Sequence, residues 1–154
     1  MTRIVAIFIA SFGLCACNPV ANLEEAKDKI DLYQTHYSNS ELEDMYAMTS
    51  VEFRRTSPRA DFENFVSLIE NRLGPIETTK QQGFNINTTP AGTVTVVTMH
   101  TQFEQGNGTE TYTFIGSGAG MKVQGWQVNS NRLLITPEEM ATLNAAEQES
   151  RAGN

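Results

Sequence analysis

The sequence predicts an α+β fold in which three helices come first and an antiparallel sheet of about four strands follows. Two changes of pattern carry that expectation, and the chain length bounds it. Apolar residues recur at spacings of three and four as far as Leu73, whereas β-branched residues dominate from Thr93 onwards. Glycine-rich turns between the later apolar runs are short, so successive strands run antiparallel. With 154 residues, the chain holds one domain of this kind and not two.

The first helix is announced by Leu23, Ala26, Ile30, Tyr33 and Tyr37, which fall on one stripe of a 3.6-residue helix. The charged residues between them form its solvated face. Ser40 and Glu43 have the spacing of a capping box, opening a short second helix with Leu42, Met45 and Tyr46 on one side. Ser57 suits an N-cap and Pro58 a first turn. The third helix then buries Phe62, Phe65, Val66, Ile69 and Leu73, and stops at Gly74-Pro75.

Glu77 to Asn87 is a strand candidate interrupted by Gly83. Thr93 to Phe103 reads as a long strand, Gly106-Asn107-Gly108 as a turn, and Glu110 to Ile115 as the hairpin partner. Gly116 to Gly120 is a loop and Lys122 to Val128 the last strand. From Thr136 a capped but weakly apolar stretch reads as a short, loosely held helical tail ending at Asn154.

The N-terminus carries a separate signal. Arg3 precedes an almost wholly apolar run from Ile4 to Leu14, the layout of a secretory signal. Its 11 residues fall well short of the roughly 20 that a membrane-spanning helix needs. The next residues, Leu14-Cys15-Ala16-Cys17, resemble the lipobox of bacterial lipoproteins. That resemblance implies that Cys17 is the lipidation site, joined to diacylglycerol and then acylated, and that residues 1–16 are removed. Two or three acyl chains would hold the protein on a bilayer, where one alone is marginal. Asn18 in place of Asp leans towards the outer membrane, with the domain facing the periplasm. An ordinary secretory signal cut after Ala16 is the alternative. The organisation expected is a signal over 1–16, a lipidated tether over 17–20, one α+β domain over 21–135 and the tail over 136–154.

Removing 16 residues that carry one positive charge leaves 138 residues with a net charge of −8. The mature chain then has no free thiol and no disulfide, so packing alone must hold it. Acidity argues against nucleic-acid binding, which needs clustered Lys and Arg. The two histidines and scattered acids predict no metal site, and no phosphate-cradle, dinucleotide or nucleophile-elbow motif implies a cofactor.

The order of elements, with Phe53-Arg54-Arg55, the exit Arg72-Leu73-Gly74-Pro75-Ile76, Lys80 and the final Gly125-Trp126-Gln127-Val128, resembles small bacterial lipoproteins. These belong to the nuclear-transport-factor-two-like superfamily, also called cystatin-like. The resemblance implies a cone whose curved sheet and helices enclose a pocket, used in that superfamily for isomerase or dehydratase chemistry or for binding.

For chemistry in such a pocket the candidates are His100, Glu104, Glu110 and Tyr112, and alternation allows His100 and Tyr112 to share a side. Against this, Glu104 and Glu110 flank a turn, where charged residues are normally exposed. Arg54, Arg55 and Arg59 are candidates for an acidic partner or anionic head group, and Trp126 and Phe114 for pocket or core. The leading expectation is a non-catalytic, envelope-anchored lipoprotein that binds a protein partner or a small apolar ligand. The alternatives are a pocket isomerase or dehydratase using His100 and a carboxylate, and a structural accessory of an envelope or secretion complex.

Overall fold

The computed structural model describes residues 19–134, together with 136, 139, 141 and 142. The signal, the lipobox Leu14-Cys15-Ala16-Cys17 and most of the expected tail lie outside the described residues. Helices α1 (Pro19–Ser38), α2 (Leu42–Ala47), α3 (Val51–Thr56) and α4 (Arg59–Leu73) precede strands β1 (Ile76–Thr89), β2 (Gly92–Phe103), β3 (Gly106–Ile115) and β4 (Lys122–Asn129). The strands form one open antiparallel sheet in the order β1-β2-β3-β4. This is the α+β arrangement that the change of pattern predicts.

The helices cover one face of the sheet. On β2 the inward residues are Thr93, Thr95, Val97, Met99, Thr101 and Phe103, and on β3 Gly108, Glu110, Tyr112 and Phe114. They meet the stripe Ala26, Ile30, Tyr33 and Tyr37 of α1 and Phe62, Val66, Ile69 and Leu73 of α4. The aromatic rings interlock edge to face: Tyr33 meets both Tyr112 and Trp126, and Tyr37 meets Phe103. Such contacts add about 0.5–1.5 kcal/mol per pair beyond the area they bury.

Tertiary bonds pin α1 lengthwise along the sheet. At its C-terminal end Tyr37 donates to the carbonyl of Gly74 at 2.8 Å, and Gln34 reaches Thr79 at the start of β1. Elsewhere α1 touches the 3-10 turn Gly118–Gly120, which lies between β3 and β4 at the other end of the sheet. The first turn of α1 therefore sits at the end where β1 turns into β2 and β3 into β4.

The two edges of the sheet differ. The stretch joining α2 to α3 lies along β4: Val123 donates to Met48 O at 3.0 Å, and Ser50 N–H donates to Val123 O at 2.8 Å. Among the described residues β1 has no such strand on its outer side.

Several local expectations are corrected. Four helices, not three, precede the sheet, because Ser50 caps a further turn by accepting from Phe53 N–H at 3.0 Å. Ser57 closes that helix instead of opening α4, whose N-cap is Pro58. Ser40 does not cap α2. It takes a positive φ of 55° and donates to Glu70, and Glu41 occupies the cap position. Phe65 is 36% exposed, lying on the flank of α4 against Trp126. The β2–β3 turn falls at Glu104-Gln105, and Gly106-Asn107-Gly108 belongs to β3. Gly108 is glycine because a Cβ there would approach the Phe103 ring and Asn129 O at 3.3 Å. In the tail, Thr136 and Glu139 exchange hydrogen bonds, and Arg72 holds Glu139 at 3.0 Å.

Candidate functional site

The chemically richest place in the domain is the carboxylate of Glu110, which is fully buried. Alternation along β3 puts it on the same face as Tyr112 and Phe114. Four donors surround it. Tyr112 Oη donates to Oε1 at 2.6 Å and Trp126 Nε1 to the same oxygen at 3.0 Å. Gln34 Nε2 donates to Oε2 at 2.7 Å, and Thr101 Oγ1 donates to it as well. The Thr101 proton is thereby committed, so Thr79 Oγ1, 3.2 Å away, donates to Thr101. Elements α1, β1, β2, β3 and β4 each supply a member.

None of the four donors is a cation. A buried carboxylate held only by neutral groups relies on charge-assisted hydrogen bonds, each stronger than a neutral one. All four of its lone-pair directions are taken. Its charge acts on the neighbouring phenols. Burial, and then the Glu110 charge, raises the pKa of Tyr33 far above the ordinary tyrosine value. Tyr112 is raised by burial, by the Glu110 charge and by its hydrogen bond to Glu110. Both remain neutral phenols throughout the physiological range. Tyr33 Oη is itself buried without a hydrogen-bond partner.

Gln34 separates this carboxylate from the surface. It is 7% exposed and lines a shallow depression of about 360 Å³ with Asp31, Thr35, Ser38 and Asn39. With Gln34 in place the carboxylate has no free acceptor for a substrate proton. The space around it is filled by Tyr33, Tyr112, Trp126 and Phe114.

The structure separates the residues that the sequence grouped. His100 is exposed and pairs with Lys80 and Thr109, whereas Tyr112 pairs with Val97 and Glu110 with Met99 on the inner face. His100 and Tyr112 therefore lie on opposite faces, because the register matches even positions of β2 with odd positions of β3. Glu104 is exposed in the turn, but Glu110 is not a turn-flanking surface residue. The turn is two residues earlier than expected, which carries Glu110 well into the strand.

Trp126 is 7% exposed and Phe114 fully buried, stacked on Tyr112 at 6.2 Å. The three arginines have different surroundings. Arg54 lies over the Tyr46 ring at 5.9 Å. Arg55 is exposed, beside Glu52 and Thr56 at a shallow depression. Arg59 pairs with Glu63 at 2.6 Å and Glu43 at 3.1 Å.

Sequence reasoning passed over two other features. Gln34 falls four residues after Ile30, and so belongs to the stripe that buries Ile30. His36, Glu41 and Asp44 converge at the α1–α2 reversal, their ligand atoms all within 4.8 Å of one another. His36 Nδ1 and Glu41 Oε2 are 2.6 Å apart. One nitrogen and two carboxylates are donor types that a divalent cation accepts. The reversal at Ser40 brings them together, and linear spacing does not reveal it. No family model matches the chain, and no curated protein matches it in sequence.

Proposed function

We propose that the protein is a lipoprotein held in the bacterial envelope by acylated Cys17, facing the periplasm from the outer membrane, and that its domain is a non-catalytic binding module. The saturated carboxylate carries the second half of that reading. Glu110 is the one acid inside the helix-covered face among the described residues, and four protein donors use all its acceptor capacity. A general base needs a lone pair directed at substrate. The filled aromatic interior likewise favours a protein partner over a small apolar ligand held inside. The likeness to the nuclear-transport-factor-two-like superfamily is proposed on element order, with helices leading into a four-stranded antiparallel sheet. On this reading the cone's usual pocket has closed on its own side chains.

Two substitutions test the two halves. Cys17→Ser should abolish incorporation of labelled fatty acid and move the protein from membrane to soluble fractions; unchanged retention overturns the anchor. Glu110→Gln keeps the shape of the side chain and removes the charge. If the folded variant still supports whatever envelope property deletion of the protein abolishes, the non-catalytic reading stands. Loss of that property with the fold intact favours the pocket enzyme.

A further inference from the structure

The outer edge of β1 is guarded over its first half and bare over its second. Between Ile76 and Gln82 the strand carries Glu77 and Lys80, and its pairing with β2 is irregular between Ile76 and Thr78 and again between Gln81 and Gly83. Charges and bulges of this kind keep an exposed edge from pairing with another chain. From Gly83 to Thr89 the register with β2 is unbroken, and the stretch Gly83-Phe84-Asn85-Ile86-Asn87-Thr88-Thr89 holds no charge and no proline. Among the described residues no strand lies outside it. Helix α1 reaches β1 at its start, where Gln34 meets Thr79, and Phe84 further along is 56% exposed.

The bare segment is complementary to itself. Phe84 pairs with Val97 and Ile86 with Thr95, so both stand on the helix-covered face, with Asn85 and Asn87 on the other. When two copies of the segment lie antiparallel about a two-fold axis at Asn85, Phe84 of each comes opposite Ile86 of the other. Asn85 then meets its own copy, and Asn87 meets Gly83. All four large apolar side chains fall into cross-strand pairs on one face, the contacts that stabilise neighbouring strands. An axis at Phe84 or at Ile86 would instead set one of the two apolar residues opposite Gln82 or Thr88. No charge is brought against its like, although the chain as a whole carries −7.

We infer that the Gly83-to-Asn87 edge is a self-association site: two copies of the domain join through it into one continuous antiparallel sheet, related by a two-fold axis at Asn85. The helices of both copies lie on the same side of that sheet, each α1 set back towards the start of its own β1. So short a joint belongs to the weak, concentration-dependent class, and dilute protein is monomeric. It does not depend on the anchor at Cys17, and it leaves the Glu110 network untouched.

The test uses the full chain, purified in detergent and followed by sedimentation over a range of concentrations. The parent protein should move from the mass of one chain towards that of two as concentration rises. Phe84→Lys and Ile86→Glu should each hold it at one, and the two together should restore the pair, because the introduced charges are then opposite in sign across the joint. The near-ultraviolet circular dichroism of the aromatic core shows whether each variant is folded. Asn85→Cys gives a second reading that leaves the apolar pair intact. Mild oxidation should link two copies through it and should not link Asn87→Cys, with the parent chain as the control for Cys15 and Cys17. If a single variant does not fold, the Asn85→Cys link decides alone. A parent that stays at one chain throughout, or a pair that survives both single variants, overturns the site. A folded double variant that stays at one chain, or linking of Asn87→Cys as readily as Asn85→Cys, overturns the register and the inference with it.

Discussion

The two ends of the sheet are made from the same strands but use their side chains differently. At the Glu110 end the side chains close on one another: four elements meet at one carboxylate, and Tyr37 ties α1 to the exit of α4. At the opposite end the turns are tied by their own hydroxyls and backbone, and the stretch Met48 to Ser50 pairs with Val123. Thr88 and Thr93 share a hydroxyl bond at 3.1 Å, Thr89 Oγ1 accepts from Ala91 N–H, and Gly116 donates to Thr93 O. One end is closed by side chains around a buried carboxylate, the other by turn hydrogen bonds and by backbone pairing at Val123. The lesson is that polarity and position are independent. The only acid of the inner face among the described residues stabilises the interior, and the end whose strand connections carry no acid stays open to its surroundings, with Lys122 beside Ile115.

The largest effect should come from breaking the closed end. Glu110→Ala leaves four buried donors without an acceptor, and should cost about 4 kcal/mol of stability. A fall in the urea midpoint measures it; a loss under about 1 kcal/mol would mean that the network contributes little.

Alkaline titration probes the same end next. Tyr33 and Tyr112 have folded pKa values raised by burial first and by the Glu110 charge second. In the unfolded chain both release protons near pH 10. The sign follows: their stabilisation is whole below about pH 10 and is lost above it, by about 1.4 kcal/mol per pH unit for each phenol. Denaturant midpoints collected from pH 8 to 11.5 should bend downward near pH 10, and Tyr112→Phe should make that bend shallower. The smallest effect belongs to the other end. Phe84→Ser should change stability by less than about 0.5 kcal/mol, because the ring is largely in solvent. A larger loss would show that this end is also held by packing.

Legibility in the sequence follows a division between local and distant interactions. Helix α4 and the strands are written in short-range patterns: the stripe Phe62, Val66, Ile69 and Leu73, the stop at Gly74, and the alternation of β2. Helix α3 escapes because only Phe53 and Arg54 of its six residues are even half-buried, so it carries no apolar stripe. Glu110 was legible by parity, since it alternates with Tyr112 and Phe114, but a carboxylate beside a turn reads as exposed. What reverses that reading is its set of partners, drawn from Gln34, Thr101 and Trp126, and no local pattern announces them. The His36, Glu41 and Asp44 convergence is hidden for a related reason, since it depends on the backbone of Ser40 and not on spacing.

The stretch Met48 to Ser50, hydrogen-bonded along β4, bears on how copies of the domain can meet. Growth of a sheet from molecule to molecule needs two open edges on each one. Here the chain itself blocks the start of the β4 edge at Val123, whereas no described residue pairs with the outer side of β1. Two copies joined through β1 would be related by a closed two-fold. The short segment between two small helices thus obstructs edge-to-edge growth at the start of β4, where both backbone groups of Val123 are already taken.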